Sequence, residues 1–166
     1  MSVSDNYVIA PVETRDDLRA IANLFADYAH SLPISLSYQD FAAECATLPG
    51  KYAPPAGALL LARGADGAPA GCVAMRPLDT ARCCEMKRLY LAPHARGRHL
   101  GRALALAIVE EAKRCGYREM RLDTLSSMTA AIALYEQMGF ERIAPYYAPT
   151  PDGTVFMALR LSAQLS

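Results

Sequence analysis

Residues 82–116 constrain the fold more than any other part of the chain. An apolar run, RCCEMKRLYLA (82–92), reads as a strand and stops at Pro93. In residues 99–115, Leu100, Leu104, Ile108, Ala112 and Cys115 recur in near i, i+4 steps, which predicts a helix lying on a sheet. Gly116 is placed to end that helix in the left-handed conformation. Between strand and helix lies HARGRHLGR, with Arg96, Arg98, Arg102, His94, His99, Gly97 and Gly101 packed together. A strand, a glycine-containing loop and a helix in this order form either an arrangement suited to gripping phosphate or simply a capped helix with solvated arginines. The first helical turn offers unpaired N–H groups and the positive dipole end, and glycine lets a ligand approach the backbone. The spacing contains neither GK[ST] nor GxGxxG, which excludes the Walker A loop and the dinucleotide fingerprint.

The flanking segments place this unit in a larger sheet. YVIAPVE (7–13) reads as a first strand, and TRDDLRAIANLFADYAHSL (14–32) as a helix with Thr14 as N-cap and Asp17 completing a variant capping box. A shorter helix is predicted over 37–48 and is broken by PGKYAPPAG. Residues 58–78 read as two strands joined at Ala65-Asp66-Gly67, a hairpin signal. A strand at 118–125, a helix at 127–138 ending at Gly139, and strands at 140–147 and 153–161 complete the chain. The order is β-α-α-β-β-β-α-β-α-β-β. It predicts an α+β fold: a mixed, mostly antiparallel twisted sheet of about seven strands with helices on both faces. No repeat or linker divides the sequence, so residues 1–166 read as one domain.

Composition narrows the function. Lys+Arg and Asp+Glu are both 17, and this zero balance argues against a nucleic-acid footprint or an acidic membrane surface. The N-terminus lacks a basic stretch followed by an apolar one, and no apolar run is long enough to span a bilayer, so a cytoplasmic protein is expected. Five cysteines without CxxC spacing point to reduced, buried thiols rather than a disulfide or a zinc site. No metal is expected.

RGRHLGRALA, lying eleven residues after Glu85 and followed by RLDTL and ALYEQMGF, resembles the GNAT superfamily of acyl-CoA N-acyltransferases. The resemblance covers roughly residues 7–161 and is strongest over 84–147. The family's cofactor motif is Gln/Arg-x-x-Gly-x-Gly/Ala. Arg96 and Gly101 match its ends, and His99 stands where the first glycine is expected. Met128 stands where the family often carries an asparagine.

The resemblance implies that the cofactor is acetyl-CoA. Its pyrophosphate would lie on the backbone N–H groups of Arg96, Gly97, Arg98, His99, Leu100, Gly101 and Arg102, with arginine side chains as charge-assisted donors. Tyr90, Leu91 and Ala92 would pair with the pantetheine arm along a splay between their strand and that at 118–125. An amide near Leu91 would polarise the thioester carbonyl. Glu85 would serve as general base, directly or through water, and Tyr135 would hydrogen-bond the departing coenzyme thiolate. The acceptor, a primary amine of a small molecule or peptide, would lie between residues 30–40 and 145–153, where Tyr28, Tyr38, Tyr146 and Tyr147 either line a pocket or simply pack. A catalytically silent acyl-CoA-binding module is the alternative on the same fold, and a homodimer is the family-level expectation.

Overall fold

The computed structural model describes residues 2–4, 6–36, 40–97 and 99–162, with side chains from residue 6 onward. Tyr38 and Arg98 lie outside the described residues. The chain opens with a short hairpin, β1 (Ser2–Ser4) against β2 (Tyr7–Pro11), and β1 is an edge strand beyond the seven predicted. Helix α1 (Arg15–Ser31) begins with the reciprocal capping box: Asp17 N–H donates to Thr14 Oγ1 at 3.1 Å and Thr14 N–H to Asp17 Oδ2 at 3.2 Å. Helix α2 covers Phe41–Ala46 and ends before the predicted residue 48, while residues 37–39 of the predicted helix lie outside the described residues. A 3₁₀ turn at Gly50–Tyr52 then leads to β3 (Ala58–Arg63).

Strands β3 and β4 (Pro69–Pro77) form the predicted hairpin, with Gly67 at φ 82 in its turn and Gly67 N–H donating to Gly64 O. Strand β5 (Cys83–Leu91) runs antiparallel to β4 and feeds, through a 3₁₀ turn at Pro93–Ala95, into helix α3 (Leu100–Arg114). The end of α3 has both hydrogen bonds of a Schellman motif around Gly116: Tyr117 N–H to Ala112 O and Gly116 N–H to Lys113 O. Strand β6 (Glu119–Leu125), helix α4 (Thr129–Met138), β7 (Glu141–Ile143) and β8 (Thr154–Arg160) follow. The predicted strand at 140–147 shortens to β7, and residues 144–153 cross the sheet instead of extending it.

The eight strands lie in the order β1-β2-β3-β4-β5-β6-β8-β7, all antiparallel except β5–β6. Strand alternation sends Cys84 and Met86 to one face, against Leu100, Leu104 and Ile108 of α3, all three fully buried. Each of these contributes about 1.5–3 kcal/mol by burial. The other face packs Leu59, Leu61, Cys72, Ala74 and Tyr90 against Ile21, Leu24 and Phe25 of α1. Of the five thiols, all free, Cys72, Cys83 and Cys84 are buried, Cys45 is half-buried, and Cys115 is exposed rather than buried as expected. Cys115 caps a helix end, and its place in the i, i+4 stripe falls where α3 leaves the sheet.

Two irregularities of β5 shape the site. Its parallel pairing with β6 covers Cys83–Glu119, Cys84–Met120 and Glu85–Arg121 and ends there, so the two strands part after Glu85. The register with β4 shifts between Cys72–Tyr90 and Ala74–Lys87, leaving one extra residue on β5, and Arg88 takes the left-handed conformation (φ 59) within it.

Candidate active site

The parting of β5 and β6 opens the middle of the sheet. Ala92 N–H donates to Ala70 O on the β4 side at 2.8 Å, so strand alternation turns the main-chain groups of Leu91 towards the gap. Ala92 O also accepts from Ala95 N–H, so both main-chain groups of Ala92 are used within the fold, against the expectation that Ala92 pairs with a pantetheine arm. A groove of ≈570 Å³ runs along this edge, lined by Leu89, Tyr90, Leu91, Arg96, Gly101 and residues 127–131 and 134 of the α4 end. Arg96 is fixed over the groove: its Nε donates to Leu91 O at 3.2 Å and its guanidinium lies 5.7 Å from the centre of the Tyr90 ring. Tyr90 in turn meets Tyr28 at 5.9 Å.

The loop before α3 has the backbone its sequence suggests. Gly97 sits at φ 80, and a Cβ there would meet nothing within 4 Å, so the glycine answers a conformational need beside open space. His99 adopts φ 60, ψ 13 at the N-cap. The place where a glycine was expected is thus a left-handed position occupied by histidine, at a backbone cost of about 1 kcal/mol. Leu100 is fully buried and anchors the first turn of α3, while Arg102 is exposed.

Deeper in the gap lies a cavity of ≈70 Å³, lined by Lys87 and Arg88 of β5, Asp123 and Thr124 of β6, Tyr135 of α4, and Tyr28, Leu32, Ile34 and Leu36 from α1 and its following loop. It shares Tyr28, Leu89, Met128 and Ala131 with the groove, so the two adjoin. Tyr135 is 7% exposed with its ring 5.6 Å from Phe140. Burial, with smaller contributions from Tyr28 and Asp123, pushes its phenol well above the usual value, so it remains a hydrogen-bond donor.

Glu85 is fully buried and is not among the cavity's lining residues. Its Oε1 accepts from Arg76 Nε at 2.8 Å, and its Oε2 accepts from the Tyr146 hydroxyl. Tyr147 donates likewise to Asp123 Oδ2. Tyr146 and Tyr147 pack edge-to-face with Phe156 at 5.1 and 5.3 Å and line neither the cavity nor the groove; they cover the two carboxylates. Lys87 bridges these pairs, its Nζ 3.9 Å from Glu85 Oε1 and 3.9 Å from Asp123 Oδ1. Burial pushes Lys87 below the ordinary lysine value, partly opposed by Asp123 and Glu85.

Sequence reasoning missed Asp123, Lys87, Arg76 and the Arg88–Glu44 pair. RLDTL was legible as a strand. That Asp123 would face Lys87 depended on β5 and β6 being parallel neighbours, which no local pattern states. Arg88 donates to Glu44 at 2.9 Å (Nε to Oε2) and 3.2 Å (Nη2 to Oε1), with side chains 2% and 5% exposed, and lies 5.0 Å from the Phe41 ring. This tie fixes α2 to the irregular turn of β5. Among the described residues, no group of His, Cys, Asp and Glu could hold a metal ion, and no helix is long and apolar enough to cross a membrane.

Comparison with known proteins agrees with this geometry. The sequence profile of the acetyltransferase (GNAT) family matches residues 18–140. An uncharacterized N-acetyltransferase of Schizosaccharomyces pombe is 37% identical over 162 residues, covering 98% of this chain and 99% of its own. The crystal structure of the ribosomal-protein-S18-alanine N-acetyltransferase of Escherichia coli superposes with a TM-score of 0.70 at 25% identity, covering 95% of this chain and 96% of that one. A phosphinothricin acetyltransferase of Sinorhizobium meliloti, solved in complex with AcCoA, shares the fold with a TM-score of 0.70 at 22% identity, covering 94% of this chain and 89% of that one. The match over most of its length places the chain in the GNAT acetyltransferase family.

Proposed function

We propose that the protein transfers an acetyl group from acetyl-CoA to a primary amine by direct attack within a ternary complex. The observation that carries this reading is the adjoining groove and cavity, which bring an anion-suited loop at one end into line with Asp123, Lys87 and Tyr135 at the other.

The groove suits coenzyme A. Gly97 leaves open space at the loop, Arg96 stands over the groove, and α3 presents its N-terminal N–H groups beside them. The pantetheine arm takes main-chain hydrogen bonds from the open edge of β5 at Leu91, since the main-chain groups of Tyr90 face β4, and an N–H on this edge polarises the thioester carbonyl. Bound there, acetyl-CoA supplies the activated acetyl group.

The chain's own residues handle the protons. An ammonium has no lone pair, so the acceptor must lose a proton before attack. Asp123 is the carboxylate lining the cavity and takes that proton. Glu85 acts at one remove, holding Lys87 and Tyr146 in the network behind Asp123. The Tyr135 hydroxyl, kept protonated by burial, hydrogen-bonds the nascent thiolate, and solvent completes the proton balance. The acceptor is a small molecule or peptide amine that enters over Tyr28 and the loop after α1.

Free-thiol release measured with acetyl-CoA and a panel of small and peptide amines tests this. Release above the amine-free rate with some amines supports it. Tight binding of coenzyme A without turnover on any amine would make the chain a silent binder, and absence of binding would overturn the reading.

A further inference from the structure

Among the described residues, Lys87 is the one buried lysine, in a protein with few lysines at all. Three lysines, Lys51, Lys87 and Lys113, stand against fourteen arginines. Lys51 is exposed, and Lys113 lies on the outer face of α3 paired with Glu110 at 3.2 Å. Lys87 is 8% exposed and lines the same cavity as Tyr135 and Asp123. A chain whose site is arranged to acylate amines therefore carries one of its own inside that site.

We infer that Lys87 is itself an acyl acceptor: with no amine substrate present, the site transfers the acetyl group from acetyl-CoA to Lys87 Nζ, and the acetylated protein is inactive. The inference rests on the acetyltransferase reading above. The groups around the amine suit the step. Asp123 Oδ1 and Glu85 Oε1, each 3.9 Å from Nζ, are the carboxylates within reach of its proton. Arg76 from β4 and Arg88 beside it on β5 add positive charge, while Tyr146 and Tyr147 cover the carboxylates from the crossing loop. Burial in this setting disfavours the ammonium and so favours the form with a lone pair.

In the step, Lys87 gives up one proton to Asp123 to become a neutral amine. Its lone pair forms the C–N bond, the thioester C–S bond breaks, and coenzyme A leaves as thiolate beside Tyr135. As the second proton leaves nitrogen, Asp123 hands the proton it holds to the thiolate and takes this one, giving free coenzyme A and an acetamide, and Asp123 then releases the remaining proton to solvent. No oxidant, reductant or further reactant is needed.

Inactivation follows from the charge lost. An acetamide cannot pair with Glu85 or Asp123, so two buried carboxylates lose the cation between them, and the added acetyl group occupies a cavity of only ≈70 Å³. A bound amine prevents the reaction by occupying the same space. The site therefore stays active while acceptor is present and closes when only acetyl-CoA remains.

Intact-protein and peptide mass spectrometry test this on the full chain, incubated with acetyl-CoA alone or with acetyl-CoA plus the best amine of the panel. The expected result is one acetyl group per chain at Lys87, at least tenfold faster than at Lys51 or Lys113. Thiol release should match it one to one, and the amine should slow it. Amine turnover should fall in proportion to the fraction modified. Lys87→Arg should abolish the modification. Should that variant fail to fold, Asp123→Asn, which leaves the lysine in place, should slow modification at least tenfold with no change at Lys51. Turnover on an amine with Lys87 unmodified overturns this inference and leaves the acetyltransferase reading standing. So does equal modification of all three lysines, the mark of uncatalysed chemistry. Absence of both acetyl-CoA binding and amine turnover overturns the two together.

Discussion

Replacing Glu44 by alanine tests whether the buried tie between α2 and β5 holds the acceptor side of the site. Glu44 and Arg88 side chains are 5% and 2% exposed, joined by two charge-assisted hydrogen bonds of 2.9 and 3.2 Å. Burial alone works against the Arg88 charge, and the Glu44 carboxylate outweighs it, holding the guanidinium protonated. Removing the carboxylate strands a cation that cannot shed its proton. Stranding one partner of a buried pair costs about 3–5 kcal/mol. For a chain of this size each kcal/mol lowers Tm by about 2–4 °C, so Glu44→Ala should melt roughly 6–20 °C lower. Thermal and urea unfolding followed by circular dichroism measure this. The double variant Glu44→Leu with Arg88→Met removes both charges and should recover most of the loss, since the pair contributes little net stability over an apolar replacement. The reasoning is refuted if Glu44→Ala costs under about 1 kcal/mol, the value of an exposed pair. It is equally refuted if the double variant is worse than either single one.

Other substitutions probe the loop, the site and the helix cap. Tyr135→Phe should lower kcat by about 10–100-fold with little change in KM for acetyl-CoA, as expected for one hydrogen bond to a developing thiolate; an unchanged kcat removes the role. Gly97→Ala forces a side chain into the left-handed region at φ 80, costing about 1–2 kcal/mol, and should weaken acetyl-CoA binding in calorimetry. His99→Gly relieves the same strain at φ 60 and should leave Tm unchanged or raise it by a few degrees. Asp17 is held at a pKa of about 2 by the main-chain N–H of Glu13 and by Arg63, below its usual 3.8. A carboxylate depressed on folding adds stability above its unfolded pKa and loses it as pH falls through the folded one. Unfolding free energy should therefore decline between about pH 4 and 2, and Asp17→Asn should flatten that limb in acid titrations followed by circular dichroism.

What the sequence made legible was local, and what it concealed was pairing between segments distant along the chain. Thr14 with Asp17, Gly67, Gly116 and Gly139 announced their turns and caps because each answers a backbone demand within a few residues. The strand, glycine loop and helix of residues 82–116 were legible for the same reason. The three-residue β1 carried no such signal, being set by its hairpin partner β2. The strand predicted over 140–147 ended at Ile143 because the hydroxyls of Tyr146 and Tyr147 have partners on Glu85 and Asp123, an attraction no periodicity encodes.

The same distinction explains why Glu85 was visible and Asp123 was not. Glu85 was read from the resemblance to the family, which expects a general base at that position, whereas Asp123 became a candidate only once β6 lay parallel to β5 and then parted from it. That parting is also what isolates Lys87. In a continuous sheet, residues 87 and 123 would face a closed, apolar layer, where an ion pair brings little net stability. Here the pairing ends at Glu85, so Lys87 and Asp123 face the opening. The buried charges are concentrated where the sheet ceases to pair, at the opening where we propose that the acyl group and the amine meet. The cost of burying them is thus borne where unpaired strand edges already require polar partners.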